Sequence, residues 1–78
     1  TVVLFNDDFT TMEFVVETLV QVFHLTVSEA TKVMLAIHKQ GKGRVGNYTY
    51  DIAETKARQV QQIARQRQFP LRTSIEKA

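Results

Sequence analysis

The 78-residue chain has no cysteine, which removes disulfide staples and thiolate metal sites together. It has one proline, Pro70, and with 44% apolar and 23% charged residues it lacks the composition of a disordered or low-complexity segment. No apolar run approaches the ~18–20 residues that a membrane helix requires. No signal-peptide pattern is visible from Thr1 onward, so a cytoplasmic setting is expected. The only histidines, His24 and His38, fall in no metal-binding spacing, and Ser28 and Ser74 lie outside any nucleophile elbow. The adjacent acids Asp7 and Asp8 are an ordinary feature of turns. Catalysis needs several groups preorganised in a dry pocket, so the chain reads as a non-enzyme without cofactor or metal. Lysine and arginine are also missing from the first 30 residues, which carry Asp7, Asp8, Glu13, Glu17 and Glu29. All ten lysines and arginines follow, against Asp51, Glu54 and Glu76, so a net charge of +2 hides an acidic front and a basic back.

What is present is regular patterning. Thr1–Phe5 is β-branched and apolar and reads as a strand. Asn6-Asp7-Asp8 breaks it, since short polar side chains bond their own backbone. Thr10 with Glu13 has capping-box spacing, and Met12, Val15, Val16, Leu19, Val20 and Phe23 then recur as the stripe of a helix. Thr26 with Glu29 opens a second helix on Ala30, Val33, Met34 and Ile37, which Gly41 and Gly43 end. Arg44–Tyr50 alternates as a strand. Ile52, Ala53, Ala57, Val60 and Ala64, with Ile63 beside them, make a third helical stripe that Phe69-Pro70 stops. Leu71–Lys77 alternates again. The order β-α-α-β-α-β predicts an α+β fold, a small three-stranded antiparallel sheet packed by three helices, and the length predicts one domain over residues 1–78.

Two stretches invite a ligand. Gly41–Gly46 is glycine-rich, but no Lys-Ser/Thr completes a phosphate loop, and its GxxG unit leads into a strand where a helix would be needed. The Asn6–Met12 turn runs from a strand into a helix, so its side chains are fixed at one edge of the core. Asn6, Asp7 and Asp8 supply acceptors, Met12, Val15, Met34 and Ile37 supply apolar surface, and His38 borders the second stripe. A free α-ammonium followed by a large apolar side chain needs that combination, because the ammonium donates three hydrogen bonds. Residue by residue, a plain turn, plain core and a surface histidine explain the same positions.

Asn6–Phe14 (NDDFTTMEF), Ala30–Gly41 (ATKVMLAIHKQG), Ala53–Lys56 (AETK) and the tail, Pro70-Leu71 followed by Glu76-Lys77-Ala78, resemble in order the motifs of the ClpS family of protease adaptors. The resemblance covers essentially the whole chain. It implies an adaptor that binds N-degrons, proteins with N-terminal Leu, Phe, Tyr or Trp, and docks on the N-terminal domain of the ClpA unfoldase so that ClpAP degrades the cargo. By that resemblance Asn6, Asp7 and His38 bind the α-amino group, and Asp8 and Thr10 line the entrance. Met12, Val15, Met34, Ile37 and Leu71 form the side-chain pocket, with Met12 as gatekeeper against β-branched residues. Asp51 and Lys56 fall where the family meets the unfoldase. A monomer with no nucleic-acid or membrane partner is expected, and the family's flexible N-terminal extension is not found in this sequence. Thr11 stands where the family commonly has proline, Phe9 where tyrosine is common, and Arg44-Val45 is atypical. Two other readings compete: a nucleic-acid module using the basic third helix, and a structural subunit that pairs through its strand edges.

Overall fold

The computed structural model describes Thr1–Lys77; Ala78, the last residue of the tail motif, lies outside the described residues. The strand β1 (Val2–Phe5) is paired on both edges, by β2 (Lys42–Gly46) and β3 (Arg72–Ile75), in an antiparallel sheet of order β2-β1-β3. Pairing on both sides satisfies its backbone, and its β-branched and leucine side chains are buried at Val2, Val3 and Leu4. Helices α1 (Met12–Phe23) and α2 (Val27–Gln40) follow β1, and α3 (Tyr50–Gln66) joins the other two strands. The expected element order and fold class are therefore observed.

Several boundaries move, each for a local reason. Helix α1 buries Phe14, Val15, Thr18, Leu19, Val22 and Phe23, while Met12 is 48% exposed and Val16 and Val20 are half-buried. The buried face is turned relative to the expected stripe because α1 packs against both α2 and α3; Phe14 stacks on Phe69 beyond the third helix at 4.8 Å between ring centroids. Gly41 alone ends α2, in the left-handed conformation (φ 87°) that glycine adopts without cost. The second strand consequently starts at Lys42 and stops at Gly46, short of the expected Arg44–Tyr50. Gly43 belongs to this strand. A Cβ there would lie 2.6 Å from Ile37 Cγ1, so its missing side chain lets β2 lie against α2. Tyr50 opens α3 and is exposed, and Ile52 is 49% exposed; Ala53, Ala57, Val60 and Ala64 are the residues that α3 buries. β3 is confined to Arg72–Ile75 within the expected Leu71–Lys77.

The end of α3 is a Schellman turn: Phe69 N–H donates to Ala64 O at 2.8 Å and Gln68 N–H to Arg65 O at 3.1 Å. Gln68 holds the left-handed position (φ 62°), where a side chain costs roughly 1–2 kcal/mol relative to glycine. Lys56 pins α3 to the end of α1. Its Nζ donates to Val22 O at 2.8 Å and lies over the rings of Phe23 (5.6 Å) and Tyr48 (5.3 Å). Among the described residues no helix is long and apolar enough to cross a membrane.

Candidate functional site

The turn between β1 and α1 is organised by one carboxylate. Asp7 Oδ1 accepts from Phe9 N–H (2.8 Å) and Thr10 N–H (2.7 Å), and Oδ2 accepts from the Thr10 hydroxyl (2.6 Å). Burial alone would raise the Asp7 pKa; the hydrogen bonds from the Thr10 hydroxyl, Thr10 N–H and Phe9 N–H outweigh it and hold the group below its ordinary value of 3.8. This clamp takes Thr10 away from the helix. The N-cap is Thr11, whose Oγ1 accepts from Phe14 N–H at 3.1 Å, and the Thr10–Glu13 capping box is not formed. Asn6 N–H donates to Gly41 O at 2.9 Å, which ties the start of the turn to the end of α2 and sets Asn6 close to the helix turn that carries His38.

A cleft of about 370 Å³ opens between this turn, α1 and α2. Asn6, Asp7, Asp8 and Thr10 form its polar side with His38; Met12, Val15, Met34 and Ile37 form its apolar side. Val15 and Ile37 are buried, Met34 is half-buried, and Met12 stands at the mouth. Two thioether side chains on facing helices give a wall that can adapt its shape. Asp8 and His38 are exposed, with acceptor atoms available to an incoming donor. Asp7 has three donors already on it, which leaves Oδ2 with a lone pair for one more.

Nine of the expected pocket and entrance residues thus meet in one cleft. Leu71 is the exception. It is buried and lines a second, more open cleft of about 630 Å³ with Phe9, Ala64 and Phe69, just past the Schellman turn that ends α3. Phe9 and Thr11 line the first cleft without having been expected there. The available signal was an aromatic residue in a polar turn, and Phe9 is indeed 75% exposed. Asp51 and Lys56 both lie on α3 but project about 140° apart at ~100° per residue. Asp51 is exposed in the first turn, and Lys56 is half-buried over the aromatic rings. Among the described residues no three of His, Asp and Glu gather as metal ligands.

Fold and cleft together define a small α+β domain whose apolar slot is rimmed by hydrogen-bond acceptors. Residues 1–74 match the family described as ATP-dependent Clp protease adaptor protein ClpS, and the chain belongs to that family. The ATP-dependent Clp protease adapter protein ClpS of Acetivibrio thermocellus is 55% identical over 75 residues, covering 96% of this chain and 76% of the relative. That of Desulforapulum autotrophicum is 54% identical over 76 residues, covering 97% and 73%. The structure of Agrobacterium tumefaciens ClpS2 bound to L-phenylalaninamide superposes with a TM-score of 0.93 at 37% identity, covering 96% of this chain and 90% of that one.

Proposed function

We propose that this Clp protease adaptor captures polypeptides by a free N-terminal Leu, Phe, Tyr or Trp and passes them to the ClpA unfoldase of ClpAP. It would act as a cytoplasmic monomer and catalyse nothing itself. The observation that carries the reading is the meeting of Asn6, Asp7 and His38 with Met12, Val15, Met34 and Ile37 in one cleft. The cargo's ammonium donates to Asn6, to the free lone pair of Asp7 and to a neutral His38 ring nitrogen, while Asp8 and Thr10 border the next peptide unit. The first side chain enters between the methionines, where burying it yields ~1.5–3 kcal/mol. The relative solved with L-phenylalaninamide supports this, since that ligand carries a free α-amino group on a phenylalanine side chain.

Met12 is half-exposed at the mouth, so it can gate the slot without supporting the core. The ClpA contact falls on Asp51 and Lys56 by family resemblance. The nucleic-acid alternative loses much of what it rested on: Lys56 is committed to Val22 O, Arg58 pairs with Glu54, and Arg67 lies 3.6 Å from Glu17. Titrating His38→Ala and Met12→Ala with peptides beginning in Leu or Val tests the cleft. His38→Ala should weaken Leu binding with the circular dichroism spectrum retained, and Met12→Ala should admit Val. Unchanged affinity in both variants would remove the cleft from consideration. Loss of ClpAP-dependent degradation on Asp51→Ala, with peptide affinity intact, checks delivery separately.

A further inference from the structure

The second cleft touches the first through a single side chain. Phe9 lines both, with its ring 75% exposed between them. Beyond Phe9 the floor is apolar, made by Ala64, Phe69 and Leu71, and the lip carries Gln61, Arg65 and Gln68, all exposed and all hydrogen-bond donors. Gln68 stands on this lip as the left-handed residue of the Schellman turn that ends α3.

We propose that this cleft is a second subsite, which takes an apolar side chain of the cargo about two or three residues after its N-terminus. The inference rests on the N-terminal capture proposed above. A cargo whose ammonium is held by Asn6, Asp7 and His38 leaves the first cleft past Phe9, and an extended chain advances ~3.3–3.6 Å per residue. Two or three residues therefore carry it across one phenyl ring. The amide and guanidinium groups of the lip meet the carbonyl oxygens of that extended stretch, and the apolar floor takes one side chain from it. The occupant is the cargo chain itself because Phe9 lines both clefts, so a chain leaving the first comes next to the second, where the Arg65 guanidinium and the Gln61 and Gln68 amides can donate to its carbonyl oxygens.

The test uses peptides Leu-Gly-Gly-Gly-Ser in which one Phe is scanned through positions two, three and four, read by fluorescence anisotropy. One of these placements should raise affinity about tenfold over the all-glycine parent, as expected for partial burial of one apolar side chain. Gln61→Trp, on an exposed face of α3 outside the first cleft, should fill the second cleft and abolish that gain while parent-peptide affinity stays. Equal binding of all four peptides, each tighter than its N-acetyl form, overturns the subsite and leaves N-terminal capture standing. A gain that survives Gln61→Trp also overturns it. No binding by any peptide overturns both.

Discussion

Helices α1 and α2 begin on the same spacing, Thr-x-x-Glu, and use it differently. At α2 the box closes: Thr26 Oγ1 accepts from Glu29 N–H at 3.1 Å and Glu29 Oε1 accepts from Thr26 N–H at 2.9 Å. At α1 Thr10 is drawn into the Asp7 clamp, Thr11 caps in its place, and Glu13 is left exposed. The α2 start needs only to begin a helix. The α1 start must also aim Asn6, Asp7 and Asp8 into a cleft, and a local rule gives way where the site is built. Both carboxylates are held below their ordinary values. For Glu29 the cause is hydrogen bonding by Thr26; for Asp7 it is hydrogen bonding that overcomes burial.

The two helix starts should differ most at Asp7. Asp7→Ala should lose on the order of 100-fold in affinity for a free-N-terminal Leu peptide. It should also destabilise the domain by about 1–2 kcal/mol, the lower end applying because Asp7 is partly solvated. Glu29→Ala should leave peptide affinity unchanged in the same titration and lower thermal stability only slightly. Equal affinity loss in both variants would show that the Asp7 clamp has no special link to the cleft. Asp7→Asn keeps the acceptor for Phe9 and Thr10 N–H, so it should fold nearly normally yet bind less well, measured by melting and by titration of one sample.

A smaller effect separates the two caps. Thr11→Ala and Thr26→Ala should each cost ~1 kcal/mol in urea unfolding, but only Thr11→Ala should alter peptide affinity, since Thr11 lines the cleft. Acid gives a third contrast. A carboxylate whose folded pKa is lowered contributes stability that is complete well above its unfolded value of ~3.9 and is lost as pH falls through the lower folded value. Stability should therefore decline below about pH 4 in the native domain, and Asp7→Asn should flatten part of that decline; an unchanged acid limb would contradict the clamp. The smallest effect is expected for Thr11→Pro. Thr11 already has φ −73°, close to proline's fixed angle, so the lost cap bond and the stiffer chain should offset each other to within about 0.5 kcal/mol.

Much of the molecule was legible because pattern and packing agree. The β1 run, the Thr26–Glu29 box, the Gly41 stop and the α3 alanines are local signals that the tertiary structure leaves in force. The cleft was legible as a set of residue types, eight of which do converge, and Thr10, added by family resemblance, joins them. Signals that depend on distant partners were not readable. The α1 face is set by contact with α3 and Phe69, Gly43 is required by Ile37 across a helix–strand contact, and Lys56 is set by the end of α1. Leu71 was placed by family resemblance, and the position of its side chain depends on how α3 terminates at Gln68, which no local pattern announces.

On this reading the acceptor-lined slot reads a free N-terminus and a bulky side chain together. Fluorescence anisotropy with two labelled peptides, identical except for free Phe or N-acetyl-Phe at the first position, tests it most directly. Binding of the free peptide alone is the predicted result, because acetylation removes the charge and two of the donors that Asn6, Asp7 and His38 would engage. Equal binding of the two, or binding of neither, would contradict it.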